Sequence, residues 1–289
     1  MQLGHAGRKA SCNVGWVDKG SPLKDDAWTI LAPSPIPFTP KSQVPREMGR
    51  EDMDKVRDDY VRSASMAAEA GFDMIEFHGA HGYLLSSFIS PVSNIRTDEY
   101  GGSLQNRMRF PVEVLRAVRE VWPIDKPISV RISAEDWVGE RGNSGNDAVE
   151  IAKLFYDNGA DIIHVSAGQT SFEQKPIYGR MFQAHLSEQV RLEAGIPTMT
   201  VGNITTPDQV NTILAAGRAD LVTLARPHLS NPFFTLQAAA HYDWDGQYWP
   251  NQYLRGKDQA FKEALTINTR QSNLLKANMP GSSRSLVFS

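Results

Sequence analysis

Cysteine is nearly absent: Cys12 is the single one in 289 residues, so no internal disulfide can form, and the composition suits a reducing, cytoplasmic setting. No base neighbours Cys12 in sequence, so it is expected as a buried or half-buried thiol rather than a nucleophile. Long apolar runs are also missing. Nothing approaches the roughly 18 residues of a membrane span, and Met1 is followed at once by a polar, cationic stretch (QLGHAGRK) unlike a signal peptide. An excess of charge of one sign is lacking too. A net charge of −3 leaves no footprint for nucleic acid or an anionic membrane. No GxGxxG follows a strand, which argues against a dinucleotide fold. What remains, 41% hydrophobic and 22% charged residues, is ordinary for a globular enzyme.

Short apolar runs alternate with amphipathic helical patterns. Strands are expected over 72–77, 128–133, 161–166, 198–202 and 220–225, and helices over 50–70, 104–121, 146–158, 186–193 and 207–216. Pro207 after two threonines marks a helix start, and glycines at 71, 159, 195 and 217 mark helix stops. The strand runs read as mostly apolar, as parallel strands buried on both faces should. Reactive side chains gather where strands end, at His78, Arg131, Ser166, Gly202 and Arg226. That is the pattern of a barrel site. The fold expected is therefore α/β, a (β/α)8 TIM barrel. Five βα units are clear and residues 2–5 read as the end of a further strand, so the expectation is a barrel lacking its first two βα units. Residues 1–242 would form this domain. Residues 243–289 would be a loop-like extension with a disordered end.

The densest segment is 76–110, EFHGAHGYLLSSFISPVSNIRTDEYGGSLQNRMRF. His78, His81 and Tyr83 fall within six residues, with Gly79 and Gly82 between them. Residues three apart on a strand face opposite ways. Both imidazoles can serve one site only if the chain bends, which the two glycines permit. Two neutral donors beside a phenol suit a site that grips a carbonyl oxygen and delivers a proton nearby. A zinc pair at His78 and His81 is rejected because no third ligand follows at metal spacing. Arg96, Asp98, Arg107 and Arg109 are expected to tie down the loop by ion pairs, and His164 to be a satisfied interior histidine.

These residues resemble the Old Yellow Enzyme family of FMN-dependent NAD(P)H oxidoreductases. The resemblance is carried by QLGHAGRK (2–9), APSPIPF (32–38), the 76–110 block, VRISAEDW (130–137) and GRADLVTLARPHLSNPFF (217–234). It implies a (β/α)8 barrel with FMN and NAD(P)H as cofactors. His78 and His81 would bind the substrate carbonyl, and Tyr83 would supply a proton. Gln2 and Arg131 would hold the flavin pyrimidine, and Gly202, Asn203, Ala225 and Arg226 its phosphate. The family usually has Gly-Arg where this chain has Ala225-Arg226. Residues 168–183 and the WPNQYLRGKDQ stretch further resemble the reductase half of aryl-CoA monooxygenases acting on anthraniloyl-CoA or salicyloyl-CoA. The substrate implied is an enone-like or aryl-CoA small molecule, and homo-oligomerisation is left open. The alternative reading is an inactive fragment of such an enzyme that needs the missing strands for flavin binding.

Overall fold

The structure, a computed structural model, describes residues 1–18 and 20–277. In chain order its strands are β1 (Gln2–Leu3), β2 (Leu31–Ala32), β3 (Arg46–Glu47), β4 (Ile75–Gly79), β5 (Ile128–Ser133), β6 (Ile162–Ser166), β7 (Thr198–Thr200) and β8 (Leu221–Val222). The helices are α1 (Gly15–Asp18), α2 (Arg50–Glu69), α3 (Leu84–Ile89), α4 (Leu104–Val121), α5 (Gly145–Tyr156), α6 (Ala184–Ala194), α7 (Pro207–Ala215), α8 (Arg226–Ser230), α9 (Phe234–His241) and α10 (Leu254–Ala277). Six strands form one parallel sheet in the order β1-β4-β5-β6-β7-β8, and β2 pairs with β3 apart from it. Spatial order follows chain order with helices between successive strands. This is the winding of a (β/α) barrel; a doubly wound sheet would reverse direction at a switch point.

Capping explains where the helices begin and stop. The Ser103 hydroxyl accepts from the Asn106 amide at the start of α4, and Ser144 and Asp147 form a reciprocal capping box on α5. Pro207 opens α7, and Gly195 closes α6 in the left-handed conformation.

The strands alternate, contrary to the apolar reading. Leu3, Ile75, Phe77, Ile128, Val130, Ile132, Ile163 and Val165 face the helices and join Val56, Phe88, Leu115 and Phe155 in one buried cluster. The intervening positions carry Gln2, Glu76, His78, Ser129, Arg131, Ser133, His164 and Ser166 on the opposite face. Phe77, Phe88, Phe110 and Phe155 are buried completely, each contributing about 1.5–3 kcal/mol. The first expected strand starts late: Phe72 and Met74 are exposed, and the Phe72 amide closes the end of α2 on the Ala67 carbonyl.

By its internal contacts the chain divides into two units, Met1–Ile204 with Val210–Thr223, and Thr205–Gln209 with the chain from Leu224 onward. The first holds the sheet. In the second, α9 packs on α10, the Phe233 and Tyr253 rings meet at 5.1 Å, and Asp208 accepts from the Tyr242 hydroxyl at 2.9 Å. The expected loop after residue 242 is corrected here, since the chain is helical from Leu254 to Ala277. Residues 278–289 of the expected tail lie outside the described residues. No helix among the described residues is long and apolar enough to cross a membrane.

Phe110 is fully buried, with its ring 4.7 Å from that of Phe88. Phe110→Ala is expected to lower stability by about 3–5 kcal/mol in urea unfolding. Ile124→Ala, at a position 89% exposed, should change it by less than about 0.5 kcal/mol.

Candidate active site

The site is built where β4 ends. Leaving the strand, the chain turns through His81 (φ 60°) and Gly82 (φ 69°), both left-handed. Gly79 is not the pivot: it stays in the strand, close against the Arg131 carbonyl. A Cβ at Gly82 would lie 2.7 Å from the Gln169 carbonyl oxygen, so glycine is required there. His81 is the costlier residue, because a left-handed non-glycine persists only where its surroundings over-determine it. Here they do. The His81 amide donates to Ser133 Oγ at 2.8 Å, and its ring Nε2 lies 2.8 Å from Ser166 Oγ. Lys9 Nζ donates to the carbonyls of His81 (2.6 Å) and Gln169 (2.7 Å). Tyr83 then caps α3. The outcome is a cluster in which the His78 ring lies 5.1 Å from that of His81 and 5.0 Å from that of Tyr83.

Beneath the cluster lies a row of polar side chains in strand register, His78 beside Arg131 and Arg131 beside His164. Glu76 organises it. Its carboxylate accepts from Gln2 Nε2 (2.7 Å) and Ser129 Oγ (2.9 Å), and pairs with His164 Nδ1 (2.7 Å). Burial alone would raise the Glu76 carboxyl, but the hydrogen bond and charge interaction with His164, followed by the hydrogen bonds from Gln2 and Ser129, outweigh it and hold the group down at about 2. Three buried atoms in the row have no partner: His78 Nδ1, Arg131 Nε and His164 Nε2. His164 is thus satisfied on one nitrogen only.

Burial, then the Arg131 charge, lowers His78 to about 4 and His81 to about 2. Both imidazoles are therefore neutral at pH 7, each with one donor and one acceptor nitrogen. Burial, followed by the Arg8 charge, brings Lys9 down to about 7.

Among the other expected residues, Gly202 (φ 122°) and Asn203 (φ 51°) follow β7 in the same unit. The Gly202 backbone lies against the Gln183 side chain, and Asn203 Nδ2 donates to the Gly179 carbonyl at 2.9 Å. Ala225 and Arg226, the cap and first residue of α8, belong to the second unit. The structure thus gathers His78, His81, Tyr83, Arg131 and, through Glu76, Gln2 on one face. Glu76, Lys9 and Ser133 were not foreseen, although a carboxylate inside an apolar run is a readable signal. Arg96 does pair with Asp98 (2.5 Å), but Arg107 and Arg109 bind backbone carbonyls of the loop rather than carboxylates. Arg8 is buried and donates to the carbonyls of Ile36 and Thr170. Cys12 is exposed, not buried. Among the described residues no group of three His, Cys, Asp or Glu side chains converges as a metal site would require.

A parallel sheet of barrel winding thus carries a histidine pair, a phenol and a half-buried cation at its strand ends. The chain belongs to the NADH:flavin oxidoreductase / NADH oxidase family, the Old Yellow Enzymes, whose family model matches residues 1–244. It is 45% identical over 239 residues to an NADPH dehydrogenase of Geobacillus sp. (strain WCH70), an alignment spanning 83% of this chain and 65% of that protein. It is 42% identical over 239 residues to the NADPH dehydrogenase of Clostridium acetobutylicum, spanning 83% of this chain and 66% of that one. The chain therefore spans about two thirds of the length of these curated relatives. Among solved structures it resembles morphinone reductase (TM-score 0.65, 25% identity, 82% of this chain and 64% of that one). It also resembles a 2-naphthoyl-CoA reductase complex (TM-score 0.65, 28% identity, 71% of this chain and 32% of that one).

Both histidines bind protons less readily folded than unfolded. Between pH 6.5 and about 4 the unfolded chain takes up more protons, so stability falls as pH drops through this window. Glu76, depressed from 4.5 to about 2, adds a loss of the same sign below pH 4.5. Thermal midpoints should decline steadily from pH 7 to 5, and the decline should be shallower in His78→Gln/His81→Gln; equal slopes would contradict the assignment.

Proposed function

We propose that this chain forms the catalytic barrel of an FMN-dependent NAD(P)H oxidoreductase that reduces a C=C bond conjugated to a carbonyl. The observation that carries this reading is the pair of neutral imidazoles, buried His78 and half-buried His81, set beside Tyr83 and near Arg131. The residues fit FMN. Arg131 Nε is buried without a partner in a row whose carboxylate is already engaged, and such a cation is suited to an electron-rich pyrimidine edge. Gln2 stands at the adjacent strand end with its amide free on one side. FMN, when bound, supplies the hydride that NAD(P)H has loaded onto it.

The chain's own residues do the rest. The N–H donors of His78 and His81 hold the substrate carbonyl oxygen and stabilise the negative charge that develops there as the β-carbon accepts hydride. Being neutral, they polarise the oxygen without surrendering a proton. Tyr83 delivers the proton to the α-carbon and is reprotonated from solvent. Lys9 and Ser133 keep the His81 backbone in its left-handed turn, so the grip is formed before substrate arrives. Gly202 and Asn203, which follow β7, would meet the phosphate of FMN through backbone N–H groups.

A narrower reading concerns the substrate. The loop after β6 offers Phe172, Ile177 and Tyr178 to solvent, at 52%, 84% and 67% exposure. It leaves the sheet through Gln169 and Thr170, whose carbonyls are bound by Lys9 and Arg8 beside the histidine turn. An exposed aromatic loop at that end of the strands supports an aryl thioester such as an aryl-CoA. The similarity to 2-naphthoyl-CoA reductase and the resemblance to aryl-CoA monooxygenase reductase halves support the same substrate. The lone cysteine supports a cytoplasmic location.

Purified chain mixed with FMN should acquire bound-flavin absorbance, oxidise NAD(P)H and reduce 2-cyclohexenone. Tyr83→Phe should retain FMN and slow enone reduction by about 10²–10⁴-fold. Absence of flavin binding, or an unimpaired Tyr83→Phe variant, would refute the reading.

A further inference from the structure

Glu76 has no part in the chemistry above, yet no side chain on the inner face of the sheet is bound more completely. Its side chain is 13% exposed and ties β4 to β1 through Gln2, to β5 through Ser129 and to β6 through His164. An ionised carboxylate can only accept hydrogen bonds. This fixes the polarity of every group it touches. Gln2 must turn its NH2 toward Glu76, so the amide oxygen is what it presents on its other side. His164 must carry a proton on Nδ1, while its Nε2 is buried with no partner. Arg131, next to His164 in the register, has its Nε unpartnered and Glu76 as the carboxylate acting on its charge.

Building on the flavin reading, we propose that Glu76 is the positioning residue that sets the hydrogen-bond polarity of the flavin seat. It turns Gln2 to offer an acceptor to the imide N–H of the pyrimidine ring, and it holds a proton on His164 Nδ1. A cross-link that merely held strands together would leave the choice between flavins unchanged. Glu76→Gln keeps the shape but replaces an acceptor-only group with one that can also donate, so Gln2 and His164 lose their imposed direction.

Two readouts on the full chain test this, the first without any flavin. ¹⁵N NMR of the histidine rings should show His164 Nδ1 fully protonated in the wild type and only partly so in Glu76→Gln. In the second, dissociation constants are measured for FMN and for FMN methylated at the imide nitrogen, which cannot donate there. The wild type should prefer FMN by about tenfold, the worth of one ordinary hydrogen bond. The ratio should collapse toward one in Glu76→Gln while FMN itself still binds. Should Glu76→Gln fail to fold, Gln2→Leu, at an exposed position, should abolish the preference, and Glu76→Asp, which keeps an acceptor-only group, should retain most of it. A wild-type His164 whose Nδ1 carries no proton overturns the proposal, as does a preference that Glu76→Gln or Gln2→Leu leaves intact. A wild type that binds neither flavin refutes the flavin reading, and the His164 Nδ1 proton then decides whether Glu76 sets the polarity of the row.

Discussion

A single carboxylate, Glu76, accepting hydrogen bonds from three neighbouring strands, is the interaction on which the inner face of this sheet depends. An uncompensated charge in that position would be prohibitive, and removing any one partner would leave a buried polar group unmet. With its partners in place, the face can carry a glutamine, an arginine and two more histidines where a helix-facing strand surface would need aliphatics. Arg131 is tolerable because Glu76 shares its neighbourhood. Arg131 in turn, together with burial, keeps His78 and His81 uncharged. The chemistry of the strand ends thus follows from one anion set two residues before the first histidine.

The second constraint is geometric. Two imidazoles three residues apart can face one site only if the backbone reverses its handedness between them, and it does so at His81 itself. That strain is met by bonds from Ser133 on β5, from Ser166 on β6 and from Lys9 near β1, so three other segments of the chain fix one turn. A pre-formed grip of this kind suits a reaction in which charge develops on a substrate oxygen, since the donors need not reorganise when it appears.

Much of this was legible in the sequence. The helix at Leu104–Val121 and the strand at Ile128–Ser133 fall on their expected bounds, because an amphipathic stretch and a short run of alternating β-branched residues mark them. The parallel winding followed from the strand–helix alternation, and the histidine–tyrosine grouping from its spacing. The polar inner face was not legible as such. Glu76, Arg131 and His164 each sit singly among aliphatic neighbours, so each strand reads as an apolar run until the register sets the three side by side. The helix α10 was missed because the stretch before it is polar and aromatic, while the Ala260–Phe261–Ala264–Leu265 periodicity that supports it begins later. Arg107 and Arg109 look in sequence like ion-pair partners for Asp98. The loop instead folds so that its own carbonyls reach them, a backbone geometry that residue types do not encode.

The central claim, that the strand ends form one site in which His78 and His81 together hold a substrate oxygen over a flavin seated at Arg131 and Gln2, is tested most directly by a crystal structure of the chain grown with FMN and 4-hydroxybenzaldehyde. The account predicts the phenol oxygen within hydrogen-bonding distance of both imidazoles and the flavin pyrimidine against Arg131 and Gln2. A phenol bound away from the histidine pair, or a flavin that does not contact Arg131, would contradict it.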